Sequence, residues 1–152
     1  MKNKSPILIV LGEPFSVFSE LIFKIYRSNF FLNFKRPVIL IGSEKLLKAQ
    51  MIKLGYKINI NRIEGKTLKT INLNNKHINL INVNFNFKKT FDKISNKSNR
   101  YIKDCFSVAL NLIRRDENLS LINGPISKKN FLKNKFLGIT EYLAKRTNQK
   151  NK

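Results

Sequence analysis

Two short apolar runs constrain this chain more than any other feature. Pro6-Ile7-Leu8-Ile9-Val10-Leu11-Gly12 and Pro37-Val38-Ile39-Leu40-Ile41-Gly42 are continuous and close on glycine. A strand with one wet face alternates apolar and polar residues, so an unbroken run of this length suits a strand buried on both faces. Each run leads into a helical pattern. After Glu13-Pro14, the residues Phe18, Leu21, Ile22 and Ile25 recur at helical spacing, and a proline near the first turn fits a helix start. After Gly42, Ser43-Glu44 opens a helix with Leu47, Met51 and Leu54 on one face, closed by Gly55. Tyr56 to Asn61 alternates like a third strand. Strand, helix, strand, helix, strand is the order of an α/β fold, here a three-layer α/β/α unit with a largely parallel sheet.

The rest of the chain continues in less regular form. In residues 66–87, Ile78, Leu80, Ile81, Val83, Phe85 and Phe87 alternate with Asn and polar residues, with a phase break at Leu80-Ile81. The pattern predicts one or two strands with a solvated face, bulged at the break. Residues 88–100 are a polar connection. A long helix follows with Ile102, Cys105, Phe106, Ala109, Leu112 and Ile113 on one stripe, then a short strand at 119–123 broken by Gly124-Pro125. Two short helical stretches, near 127–134 and 140–149, end the chain. There is no internal repeat and no flexible linker, so 152 residues predict a single unit, 1–152.

Thirty Lys+Arg against nine Asp+Glu give a net charge of +21. Such a surface attracts nucleic acid, anionic lipid or phosphorylated small molecules. The lysines are spread through every kind of element, however, together with Asn and Ile. That diffuse enrichment is what an AT-rich coding sequence produces, and no RNP-like aromatic motif, zinc finger or basic heptad region marks a specific nucleic-acid surface. The apolar run at 7–11 is too short for a signal peptide, and no stretch approaches the roughly 18 apolar residues of a membrane span. A soluble, cytoplasmic protein is expected.

One Cys and one His exclude a disulfide framework and any zinc site built from several Cys and His of this chain. His77 has no carboxylate near it in sequence and reads as an ordinary surface histidine. Cys105 lies on an apolar helix stripe, where a small buried thiol is expected rather than a nucleophile. Phe30, Phe31 and Phe34, and the pair Phe85 and Phe87, read as aromatic packing rather than base-stacking platforms.

Two loops stand out because each lies at the carboxyl end of a buried strand, where open α/β sheets place their ligands. Gly12-Glu13-Pro14-Phe15-Ser16 precedes a helix, but Glu13 is a poor neighbour for phosphate and neither GxxxxGK[ST] nor GxGxxG is present. In Asn123-Gly124-Pro125-Ile126-Ser127-Lys128-Lys129, Gly-Pro forces a tight turn, Ser127 can cap the next helix, and Lys128 can point a charge into the crevice.

Together with Gly138-Ile139-Thr140-Glu141, these loops give a recognisable order. The chain resembles the N-terminal part of the 4-hydroxythreonine-4-phosphate dehydrogenase family of vitamin B6 biosynthesis. Members open with a strand and a Gly-Asp/Glu-Pro-Ala-Gly-Ile-Gly-Pro-Glu loop, which here reads Gly12-Glu13-Pro14-Phe15-Ser16-Val17-Phe18-Ser19-Glu20. The opening and Glu20 match, whereas Ser16 and Phe18 replace the inner glycines. The family's Thr-Gly/Ala-Pro-Ile-x-Lys corresponds to Asn123-Gly124-Pro125-Ile126-Ser127-Lys128, and its Gly-His-Thr-Glu to Gly138-Ile139-Thr140-Glu141.

The resemblance covers nearly all of this chain but less than half of a typical member. It implies the N-terminal portion of an isocitrate/isopropylmalate dehydrogenase-like fold, within a longer two-domain, homodimeric enzyme. The implied reaction is NAD-dependent oxidation of a phosphorylated 2-amino-3-hydroxy acid followed by decarboxylation. A divalent metal held by histidines would polarise the substrate. By resemblance, Thr140 and Lys128 contact substrate, and Ile139 stands where the family has histidine, a change that removes a donor.

The family's metal-binding histidines and most cofactor contacts lie beyond the Gly-His-Thr-Glu segment. The expectation is therefore a fragment that binds neither NAD nor metal fully by itself and is inactive alone. Two rival readings are a degenerate paralogue, favoured by Ile139 and the lost glycines, and a basic α/β module that holds RNA or another polyanion.

Overall fold

The computed structural model describes residues 5–64, 68 and 73–147. Among these residues are five strands, β1 (Ile7–Val10), β2 (Val38–Gly42), β3 (Ile60–Arg62), β4 (Ile78–Asn82) and β5 (Ser120–Asn123), and helices α1 (Phe18–Arg27) after β1, α2 (Glu44–Leu54) after β2, α3 (Asn99–Arg115) after β4 and α4 (Ile139–Arg146) after β5. The strands lie in the order β3-β4-β2-β1-β5, and every pairing is parallel.

The unbroken apolar runs are explained by the two cores. Leu8 and Val10 of β1 and Ile39 and Ile41 of β2 face α3 and α4, where Ile102, Cys105, Phe106, Ala109 and Tyr142 close over them. The alternate residues Ile9, Leu11, Val38 and Leu40 face α1 and α2, meeting Ile22, Phe23, Leu47 and Met51. Every second side chain of a strand points to the opposite face, so a sheet covered on both sides needs apolar residues at every position. Each such side chain, once buried, contributes about 1.5–3 kcal/mol relative to exposure. The fold is the expected three-layer α/β/α arrangement.

Local signals place the ends of the helices. Ser43 caps α2, its hydroxyl accepting from the Leu46 N–H at 3.3 Å, and Gly55 closes it with left-handed backbone (φ 72°). Pro14, by contrast, does not start α1. It sits in a turn in which the Ser16 hydroxyl donates to the Glu13 carbonyl at 2.9 Å, and the helix begins at Phe18. The third strand also falls later than Tyr56–Asn61, as the short edge strand Ile60–Arg62. The helical stretch expected near 127–134 is a single π-helical turn, Lys128–Leu132, and the last one is α4. Residues 148 and 149 of that last stretch lie outside the described residues.

The largest departure from expectation is β4. Its Asn-rich alternation predicts a solvated face and a bulge, yet the strand is interior, parallel and buried from Ile78 to Ile81. Its register with β2 runs unbroken from Ile39↔Asn79 to Gly42↔Asn82, so there is no bulge at Leu80-Ile81. Asn79 is tolerated inside because its amide is satisfied: it donates to the carbonyls of Val38 (3.1 Å) and Asn74 (2.8 Å) and accepts from Asn61 (3.1 Å). Asn75 is likewise buried, accepting from the Val38 N–H and donating to the carbonyls of Phe31 and Arg36. Positions 66, 67 and 69–72 of the same stretch lie outside the described residues.

The sheet order also locates the site. From β1 the chain moves to one side through β2, and it later returns by α3 to place β5 on the other side of β1. The direction of winding reverses between β1 and β5. At such a switch point the connections leave the two strands on opposite faces and open a crevice outside their carboxyl ends.

Candidate functional site

The carboxyl ends of β1 and β5 carry the two loops singled out from the sequence, and they are locked together. The Glu13 N–H donates to the Pro125 carbonyl at 2.9 Å, and the Gly124 N–H to the Val10 carbonyl at 2.7 Å. Two glycines permit this approach. Gly12 has left-handed backbone (φ 73°), and a Cβ on it would collide with the Pro125 carbonyl oxygen; a Cβ on Gly124 would collide with that of Leu11. Gln50, buried on α2, donates its side-chain amide to the Pro14 carbonyl at 2.9 Å and so holds the first loop from behind.

Glu13 is the residue whose role the sequence did not reveal. It is only 3% exposed. Its carboxylate accepts from the Ser127 N–H at 3.4 Å and from the Ser98 hydroxyl at 3.3 Å, at the start of α3. Burial pushes its pKa up, and the two hydrogen bonds oppose that shift. The one available signal was a carboxylate inside an apolar strand end with no basic residue beside it in sequence.

In front of this junction lies an open hollow of about 430 Å³, lined by Phe18 and the 123–126 turn on one side and by Lys128, Leu132, Gly138 and Ile139 on the other. Its size is in the range of small-molecule sites. The exposed Lys128 supplies a cationic group at the rim, and Ser127 caps the π turn that carries it, accepting from the Asn130 N–H at 3.0 Å. Two consecutive left-handed residues, Lys133 (φ 51°) and Asn134 (φ 55°), follow that turn before the chain reaches Gly138.

Of the residues selected from the sequence, Lys128 and Ile139 share this hollow. Thr140 is exposed on the first turn of α4 and is not among the lining residues. The Gly12–Pro14 loop lies behind the wall, with Glu13 and Pro14 on a separate interior void of about 10 Å³.

The residues set aside as structural behave so. Cys105 is buried, and burial pushes its thiol up to about 12. Phe31 is core, with Phe30 and Phe34 packed beside it, and Phe85 and Phe87 stack at 6.3 Å. His77 is exposed immediately before β4, at the amino edge of the sheet and so opposite the hollow. Among the described residues no cluster of three His, Cys, Asp or Glu could hold a metal ion. This chain's own described side chains therefore do not fit the divalent metal that the resemblance implies. No described helix is long and apolar enough to cross a membrane.

Comparison with known proteins agrees with this architecture. The sequence profile of the family described as "Pyridoxal phosphate biosynthetic protein PdxA" matches residues 33–152. No curated protein sequence matches the chain. Among solved structures, the fold is similar to a 4-hydroxythreonine-4-phosphate dehydrogenase from Burkholderia phymatum. The TM-score is 0.76 and the identity 19%, over 98% of this chain and 46% of that one. It is also similar to a proposed 4-hydroxythreonine-4-phosphate dehydrogenase from Salmonella typhimurium, with a TM-score of 0.71 and 18% identity, over 93% and 44%. The chain thus spans a little under half the length of the structures it matches. The match over residues 33–152 covers most of the chain, which belongs to the PdxA family of pyridoxal phosphate biosynthetic proteins.

Proposed function

We propose that this chain forms one wall of the substrate crevice of an NAD-dependent 4-hydroxythreonine-4-phosphate dehydrogenase. In the complete enzyme the reaction is oxidation of the substrate's 3-hydroxyl carbon, with hydride passing to NAD, followed by loss of carbon dioxide. The observation that supports this reading best is the position of the hollow. It opens at the β1/β5 switch point, between the Gly-Pro turn and α4, where the Asn123–Lys128 and Gly138–Glu141 motifs of the resemblance meet.

In this reading the chain's own part is binding. The Lys128 ammonium faces the phosphate or carboxylate of the substrate. The Gly124-Pro125 turn brings backbone close to it and Ile139 offers an apolar wall, while the Thr140 hydroxyl, exposed on the first turn of α4, is a further contact by resemblance to the family. The divalent metal is assigned to residues outside the described set, because the described residues do not form a metal site, and NAD is assigned there by the family resemblance. The active form is proposed to be a cytoplasmic homodimer.

The test is kinetic. The complete product of the gene, supplied with 4-phosphohydroxythreonine, NAD and a divalent metal, is expected to reduce NAD. Lys128→Ala is expected to raise KM about tenfold or more, as loss of a charge-assisted contact should. A folded, complete product that reduces no NAD under these conditions overturns the proposal.

Ile139 supports a second reading, a paralogue that keeps the fold without the chemistry. It lines the hollow with a side chain that is partly buried against the α3/α4 core and has no donor. That reading predicts no turnover even though the phosphorylated substrate still binds.

A further inference from the structure

At the far end of α4 lies a second hollow that the proposed substrate site does not use. It measures about 480 Å³ and is lined by Ser107, Leu110, Asn111 and Arg114 of α3 and by Lys145 and Arg146 of α4. Ile139 and Arg146 stand seven residues apart on one helix, about 10 Å along its axis, so the two hollows are separate places.

Both guanidinium groups are held by bonds to the protein. Arg146 donates to the Ser107 hydroxyl at 2.7 Å, and that hydroxyl donates in turn to the Lys103 carbonyl at 2.9 Å. Arg114 donates to the Arg146 carbonyl at 3.3 Å and to the Asn111 side-chain oxygen at 3.4 Å. Each fork carries five N–H donors, so each retains free ones. Lys145 stands at the rim with its ammonium 5.5 Å over the Phe136 ring.

Charge distinguishes this hollow from a merely basic surface. Among the described residues no carboxylate lines it, and the ion pairs found there, Lys24–Glu20, Lys48–Glu44 and Arg62–Glu44, involve none of its cations. The carboxyl ends of α3 and α4 both lie here, and each offers only about half a negative charge. Set against three cations, they leave an excess of about two positive charges. A phosphate monoester carries about −1.5 to −2 near neutral pH and presents the oxygens that a planar guanidinium fork matches.

The geometry points to an anion site between α3 and α4 in which Arg114 and Arg146 bind the phosphate group of a small molecule. A concave site with two exposed forks, each hydrogen-bonded to the protein, suits one compact dianion better than an extended strand of nucleic acid, whose successive phosphates would call for an elongated basic track. The inference does not depend on the dehydrogenase reading.

The experiment follows the arginine side-chain N–H resonances of the isotope-labelled 152-residue chain. Inorganic phosphate and glycerol 3-phosphate are titrated in parallel, with ionic strength held constant by chloride. Saturable shifts at Arg114 and Arg146, with a dissociation constant on the order of 1 mM, are expected. Tighter binding of glycerol 3-phosphate identifies an organic phosphate as the ligand, and equal binding identifies free phosphate.

Arg146→Gln is expected to weaken binding about tenfold. Arg146→Lys, which keeps the charge and loses the fork, is expected to fall between it and the parent and carries the test if the glutamine variant does not fold. Arg27→Gln removes the same charge from α1, on the opposite face of the sheet, and is expected to leave binding unchanged. Shifts that do not saturate, or an equal loss in Arg27→Gln, would reduce the effect to net charge and overturn the proposal. So would a short RNA that displaces phosphate with a steep salt dependence, since the occupant would then be nucleic acid.

Discussion

The Glu13 carboxylate accepts the Ser127 N–H at 3.4 Å, joining two loops separated by 114 residues. Ser98 adds its hydroxyl at 3.3 Å, so one buried side chain ties the ends of β1 and β5 to the start of α3. The π turn that carries Lys128 begins at Ser127. The position of the cation at the crevice therefore depends on an acid that does not itself line the hollow. Glu13→Ala leaves the Ser127 N–H and the Ser98 hydroxyl without this partner and should destabilise the fold by about 1–3 kcal/mol. Urea unfolding measures it.

The same carboxyl makes stability depend on pH. Its pKa is raised by burial, so the folded state holds the proton more tightly than the unfolded state. Its contribution is fully present below the ordinary glutamate range and is lost as pH rises through the elevated folded value. Glu13→Gln keeps the shape and the acceptor but removes the titration. The difference in stability between the parent and Glu13→Gln should therefore move in the parent's favour as pH is lowered toward the glutamate range. Paired urea titrations across that range test the sign; a shift the other way would mean that the hydrogen bonds outweigh burial.

Gly124 tests the approach of the two loops. A Cβ there would strike the Leu11 carbonyl oxygen and the Phe18 ring, both fixed by the strand and by α1. Gly124→Ala should cost about 1–3 kcal/mol through overpacking. Gly55→Ala is a useful contrast: Gly55 has left-handed backbone, which Gly124 does not, and nothing lies near its missing Cβ. Its cost should be strain alone, about 1–2 kcal/mol. Only Gly124→Ala should also change the amide resonances of residues 123–128.

Buried hydrogen bonding on the α3 side gives a further test. The Ser43 N–H, just before α2, donates to the Tyr101 hydroxyl at 3.0 Å, both residues being buried. Tyr101→Phe leaves that N–H unpaired and should lower stability by about 1–3 kcal/mol. Cys105, one turn further on with its thiol pushed up to about 12, should resist thiol reagents in the folded protein and react on unfolding.

How much of this could be read from the residues depends on where polar groups are satisfied. β1 and β2 are legible because a continuous apolar run has few other uses. Helix α2 is legible because its cap and its terminal glycine are local. The burial of β4 is not legible, because a buried asparagine and a solvated one look alike in sequence. Asn79 is interior only by virtue of partners on residues 38, 61 and 74, which no local pattern records. Glu13 is the same case at the site: its partners come from Ser98 and Ser127, so its clamp role emerges only once the chain is folded. Lys128 and Ile139 were legible through motif order, and the hollow places them together.

Ile139 offers the most direct test of the crevice. It lines the hollow and is partly buried against the core that contains Tyr142. Ile139→His replaces apolar contact with a donor at the position where the resemblance expects one. The lost packing should lower stability by about 1–2 kcal/mol. A single new hydrogen bond is worth about 0.5–1.5 kcal/mol, so binding of 4-phosphohydroxythreonine should tighten about two- to tenfold. Titration calorimetry on the parent and the variant measures the change. Tighter binding in Ile139→His that is lost again in the double variant with Lys128→Ala would place both side chains against one ligand. If Ile139→His leaves affinity unchanged while Lys128→Ala alone weakens it, α4 does not face the substrate, and the crevice wall is confined to the Gly-Pro turn and the π turn after it.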